Sequence, residues 1–134
     1  MTQFSGSLDA NIILRYLLND IPDQCKSATK LLKGARDQLA VADTALIETC
    51  FVMERAYSMS REHIGIALLG FMSLQQINCN RILFDRALML FQSHSALSME
   101  DCCLAVYAEL NKAEPLYTFD KKLAKQLQAT QFVA

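Results

Sequence analysis

A chain of 134 residues with 52% apolar content has about one domain's length and enough apolar surface for one packed core, which excludes a disordered or collagen-like chain. Thirteen Lys and Arg against fourteen Asp and Glu give a formal charge of −1, so no bulk positive field holds nucleic acid or an anionic membrane, and a polyanion must be gripped locally or through metal. Five cysteines, Cys25, Cys50, Cys79, Cys102 and Cys103, are odd in number and form no CxxC pair, which speaks against a disulfide framework or zinc site and predicts buried thiols in a reducing, cytoplasmic compartment.

The first residues, Met-Thr-Gln-Phe-Ser-Gly-Ser, carry neither a basic segment nor a long apolar one, so no secretory signal is expected. Phe4 to Leu8 reads as a short strand, and Pro22 with Asp23 as N-cap predicts a helix to about Gln38. One face of that helix carries Cys25, Ala28, Leu31, Leu32 and Ala35; the other carries Lys26, Lys30 and Lys33. Leu39 to Ala42 is β-like, followed by helices at about 44–57, with Thr44 as N-cap, and 60–72, opening at Ser60. The longest apolar run, Ile64 to Leu74, is well short of the roughly 20 residues that span a bilayer, so membrane insertion is not expected. Gln76 to Cys79 is a third short strand. Helices follow at about 81–93 and 99–113, the last ended by Glu114 because a residue before proline is pushed out of the helical region. Leu116 to Phe119 and Gln131 to Val133 complete the strands. With no linker-like tract or repeat, the whole of 1–134 reads as one domain. Strands alternating with helices predict parallel strands joined by helical crossovers, an α/β fold.

In an open parallel sheet the ligand site lies beyond the carboxyl ends of the strands. Two aspartates sit there: Asp9 follows Ser-Leu, and Asp120 follows Leu-Tyr-Thr-Phe. Each is also a good N-cap for the helix after it, which is the structural alternative. Glu48 lies among Leu46, Ile47, Cys50, Phe51, Val52 and Met53, and a carboxylate in such company calls for a partner, either a metal ion or Arg55. Asp101 fits a capping box with Ser98. As a set, four carboxylates converging on one edge of a sheet would repel unless cations sat among them, and hard oxygen ligands suit Mg²⁺ or Mn²⁺.

Four segments carry a family resemblance: Leu8-Asp9-Ala10-Asn11-Ile12-Ile13-Leu14-Arg15-Tyr16-Leu17-Leu18, Ala45-Leu46-Ile47-Glu48-Thr49, Ser98-Met99-Glu100-Asp101 and Tyr117-Thr118-Phe119-Asp120-Lys121-Lys122-Leu123-Ala124. In their order and approximate spacing the chain resembles a PIN-domain ribonuclease of the VapC toxin type, the Thr-Phe-Asp-Lys-Lys-Leu stretch being the most specific piece. The resemblance implies a central, mainly parallel sheet flanked by helices and an acidic pocket for one or two divalent ions. It makes Asp9, Glu48, Asp101 and Asp120 the expected Mg²⁺ or Mn²⁺ ligands and catalytic residues, with Asn11 and Thr118 orienting them. The chain departs from the family in having Ala10 where a hydroxyl residue is usual, a Phe-Ser-Gly-Ser first strand, and Asp43 where Ser is common.

By this resemblance the expected chemistry is metal-assisted hydrolysis of RNA leaving a 5′-phosphate and a 3′-hydroxyl, which needs no histidine base; His63 and His94 read as surface or cap residues. Arg15, Lys121 and Lys122 are the expected RNA contacts, with Lys125 equally well a solvated residue; such contacts position a strand without reading it. Expected partners are an RNA substrate, a protein antitoxin and a second copy in a homodimer. The apolar load of helices 44–57 and 60–72, from Phe51 to Met72, exceeds one inward stripe and points to a covered second face. The competing readings are a PIN-like interaction module and a non-toxin PIN nuclease. A phosphatase-like site at Asp9 is disfavoured by Asn11 standing where a second acid is required.

Overall fold

A computed structural model describes residues 3–134, and the chain gathers into two compact units, one ending at Asn80 and the other beginning at Arg81. The first unit runs β1 (Phe4–Leu8), α1 (Ala10–Leu17), α2 (Pro22–Gly34), β2 (Gln38–Val41), α3 (Asp43–Arg55), α4 (Arg61–Met72) and β3 (Ile77–Asn78). Its strands form one parallel sheet in the order β1-β2-β3, with Leu8 opposite Val41 and Ala40 opposite Asn78. β1 is an edge strand with a register irregularity between Phe4 and Gly6, and Gly6 sits at φ 156°, a conformation only glycine adopts readily. The interior is built from Ile13 and Leu14 of α1, Leu32 of α2, Leu46 and Met53 of α3, and Ile64, Leu68 and Phe71 of α4. Each such side chain removed from water contributes roughly 1.5–3 kcal/mol.

The second unit runs α5 (Arg81–Ser93), α6 (Met99–Leu110), β4 (Leu116–Thr118), α7 (Lys121–Gln126) and β5 (Thr130–Phe132). α5 packs on α6, with Phe84, Leu88 and Phe91 of the one and Cys102 and Val106 of the other buried, and Arg86 pairs with Glu109 across them. β4 and β5 pair in parallel, Thr118 opposite Phe132. The α/β class with parallel strands is therefore as expected, but the strands are hydrogen-bonded as a set of three and a set of two.

Several expected boundaries move, each for a local reason. α2 ends at Gly34 rather than Gln38, because Gln38 is needed in β2 and the Asp37 N–H is taken by the Ser5 hydroxyl. Its N-cap is Ile21, not Asp23; Pro22 occupies the first helical position, where its missing N–H costs nothing. α3 starts at Asp43 after Ala42, so Thr44 is inside the helix and does not cap it. α6 stops at Leu110, well before Glu114. Lys112 turns left-handed at φ 53° and the N–H groups of Ala113 and Lys112 bond back to the carbonyls of Ala108 and Glu109, a Schellman ending. Ser60, by contrast, caps α4 as expected, accepting from the His63 N–H at 3.1 Å.

Among the described residues the cysteines form no disulfide, Cys50, Cys102 and Cys103 being buried and Cys25 and Cys79 half-buried. No described helix is long and apolar enough to cross a membrane.

Candidate active site

In the first unit the chain leaves β1 at Leu8 and enters α1 at Ala10, so Asp9 stands at the carboxyl end of a parallel strand. Its extended backbone lets the carboxylate fold over the helix start, where Oδ1 accepts the Ile12 N–H at 3.0 Å. Oδ2 has no hydrogen bond among the described residues, and the residue is exposed. Because Leu8 lies opposite Val41, the chain following β2 emerges beside Asp9 and turns at once into α3. Glu48 is in the second turn of α3. It is exposed, with no ion pair or hydrogen bond among the described residues. The alternative of an Arg55 ion pair is not formed, and the apolar neighbours in sequence do not enclose the carboxylate: α3 buries Ala45, Leu46, Thr49, Cys50 and Met53, while Glu48, Phe51 and Arg55 share its solvent face. The Arg55 guanidinium lies 5.9 Å from the Phe51 ring centroid instead. Asp43 opens α3 at a cleft of about 410 Å³ that it lines with Asn78 and Asn80, and the Asn80 amide donates to it at 3.4 Å.

In the second unit Asp120 repeats the arrangement of Asp9. It follows β4 and caps α7, Oδ1 accepting the N–H groups of Lys122 at 2.9 Å and Leu123 at 3.2 Å. The Thr118 hydroxyl accepts the Asp120 N–H at 2.9 Å, pinning the backbone that carries the carboxylate. Asp101 is the third residue of α6 and forms the expected capping box: its N–H donates to the Ser98 hydroxyl and its Oδ2 accepts the Ser98 N–H. α6 leads into β4 through a short connection and packs against it, so the start of α6, with Asp101, lies at the same end of this unit as the close of β4 and Asp120.

The flanking residues divide. Asn11 is exposed on α1 without a hydrogen bond among the described residues. Arg15 is engaged: its guanidinium grips both Asp20 oxygens at 2.8 Å and reaches the Tyr57 hydroxyl at 3.3 Å, which itself donates to Asp20. The Tyr57 hydrogen bond, with Arg15 assisting, holds the Asp20 carboxyl below the usual carboxylate range and raises Arg15 further. This network escaped sequence reading because its members lie 5 to 42 residues apart. Lys121 and Lys122 are exposed, Lys121 with its ammonium 5.6 Å from the Phe132 ring centroid. His63 is exposed, and the His94 ring is within hydrogen-bond distance of the Ser93 hydroxyl and the Leu90 carbonyl.

Whether these acids suit a divalent ion is a question of donor type and of unused lone pairs. All four are hard-oxygen donors of the kind Mg²⁺ and Mn²⁺ take. Asp9, Asp101 and Asp120 each engage one oxygen in capping and keep the other, and Glu48 keeps both. Among the described residues, no group of three or more His, Cys, Asp or Glu side chains is gathered closely enough to hold a metal ion. The fit is therefore one of donor chemistry and orientation by capping, two acids in each unit.

A toxin–antitoxin complex from Klebsiella pneumoniae is similar to the chain at 19% identity over 96% of each chain, with a TM-score of 0.35, too slight a likeness to bear on fold or function. No curated protein matches the chain. The family model described as the PIN domain matches residues 7–126, a span that holds Asp9, Glu48, Asp101 and Asp120, and on that match the chain belongs to the PIN domain family.

Proposed function

We propose that the chain is a metal-dependent endoribonuclease, the toxin of a toxin–antitoxin pair, with Asp9, Glu48, Asp101 and Asp120 as the carboxylates that hold Mg²⁺ or Mn²⁺. The observation that carries this reading is the repeated device at Asp9 and Asp120: an aspartate closing a parallel strand, oriented by capping through one oxygen with the other left over, in a chain of the PIN family. A divalent ion there supplies the Lewis acidity that phosphodiester hydrolysis requires. The chain's own contribution is positional. Capping hydrogen bonds at helix starts orient Asp9, Asp101 and Asp120, the Thr118 hydroxyl restrains the Asp120 backbone, and Lys121 and Lys122 neutralise phosphates of the strand being cut. Arg15, tied to Asp20 and Tyr57, serves instead to brace α1.

The test is incubation of the purified chain with mixed RNAs in Mg²⁺, in Mn²⁺ and in EDTA. Endonucleolytic products with 5′-phosphate ends in the metal arms alone support the reading; their absence overturns it in favour of an interaction module.

The partner half of the reading rests on exposed apolar side chains. Phe51 of α3 and Ile66 and Leu69 of α4 are 58%, 63% and 38% exposed, so the surplus foreseen on these helices does remain outside the core. We assign it to self-association and to an antitoxin. A strictly monomeric species in sedimentation at micromolar concentration overturns the homodimer, and a neighbouring gene's product that fails to suppress RNA cleavage overturns the antitoxin.

A further inference from the structure

We propose that Phe119, with Tyr117 beside it, is a stacking platform that holds an unpaired RNA base next to Asp120; the proposal rests on the ribonuclease reading above. Phe119 is 80% exposed, more than any other large apolar side chain among the described residues, and Tyr117 is 63% exposed. Scattered exposed apolar residues are ordinary, but these two are not scattered. Tyr117, in β4, and Phe119, in the bend that directly follows it, are both exposed, with one half-buried residue between them. The half-buried member is Thr118, whose hydroxyl holds the Asp120 N–H at 2.9 Å. A ring at Phe119 is thus one residue from a capped, candidate catalytic carboxylate.

Charge names the occupant. From Pro115 onward the chain carries Lys121, Lys122 and Lys125 against Asp120 alone, a local excess of cations in a chain of net charge −1. None of the three ammonium groups is in an ion pair among the described residues, and Lys121 is poised over the Phe132 ring. Aromatic faces interleaved with unpaired cations suit a single strand, whose bases have free faces and whose phosphates need neutralising. A duplex keeps its bases stacked inside and offers only its phosphates.

The experiment is binding of a short single-stranded RNA carrying 2-aminopurine to the full chain in EDTA, which stops metal-dependent cleavage without mutation. Wild type should bind and quench the probe. Phe119→Ala and Phe119→Leu should each weaken binding about tenfold and abolish quenching. Phe119→Trp should keep both, and a duplex of the same composition should bind all four proteins alike. Melting temperatures should not change, since the ring lies in solvent. Unaltered binding and quenching in Phe119→Leu overturns the platform, and so does a loss in Phe119→Ala that Leu restores, since apolar bulk without a ring would then suffice. RNA bound by every variant equally sinks this inference alone, whereas a wild type that neither binds nor cuts RNA sinks the nuclease reading with it.

Discussion

Asp120 caps α7 and is proposed to hold a metal ion as well, and substitution can part the two roles. Its carboxylate accepts two helix N–H groups at the start of α7, a role asparagine fills about as well as aspartate, whereas alanine forfeits about 1 kcal/mol. Asp120→Asn should therefore melt like wild type and Asp120→Ala should be less stable by about that amount, while neither cleaves RNA; calorimetry beside a cleavage assay checks both. The same logic makes Asp9 readable as a cap and as a ligand at once, which is why its neighbours in sequence left both roles open. At Asp20 the lesson is electrostatic. Its folded carboxyl is held low, first by the Tyr57 hydroxyl and then by Arg15, so the stability it contributes is present above the ordinary carboxylate range and is lost as pH falls through the lower folded value. Tyr57→Phe removes the largest cause. The variant should lose stability at neutral pH and change less than wild type as acid is added, which denaturant midpoints across the acid range will measure.

α6 and α7 show how elements end and begin. α6 terminates on Lys112 at φ 53°, where a side chain costs roughly 1–2 kcal/mol that glycine does not. Lys112→Gly should raise the melting temperature, with a gain of about 0.5–1 kcal/mol after glycine's greater freedom in the unfolded chain is set against it. α7 opens with Lys121 and Lys122, cations at the end of a helix dipole that prefers anions. Their presence is thus unfavourable to the helix and points to a task outside it. Replacing both with glutamate should leave the fold unharmed and weaken RNA binding, and the slope of log affinity against log salt should flatten by about 0.7 for each phosphate of a single strand that is no longer neutralised. Titration at several salt concentrations decides it, an unchanged slope assigning both lysines to plain solvent exposure.

For the molecule as a whole, a ligand that binds the folded chain alone stabilises it by mass action, about 2.7 kcal/mol at a hundredfold excess over Kd. Mg²⁺ should accordingly raise the melting temperature of the wild type, and the Asp9→Asn, Asp120→Asn double variant should show no such rise. In the absence of metal that variant should be about as stable as wild type, because asparagine preserves both caps. An equal Mg²⁺ shift in the two proteins would refute the assignment of these aspartates to the metal.

What sequence alone determined was whatever depends on neighbours along the chain. The Ser98 to Asp101 capping box, the Ser60 cap and the strand-to-helix switches at Asp9 and Asp120 are local hydrogen-bond patterns with fixed spacings, and all are present. Helical periodicity likewise placed α4 and α5 to within a residue. Tertiary structure decided the rest. Which side of α3 meets the core depends on what packs there, so Glu48, set in a largely apolar stretch of sequence, lies in water while Thr49 beside it is fully buried. The end of α2 was set by β2's need for hydrogen-bond partners on both sides, and the end of α6 by a lysine in a conformation that glycine usually signals. The Arg15, Asp20 and Tyr57 network exists because folding brings the start of the chain to the end of α3, a proximity that no spacing along the chain encodes.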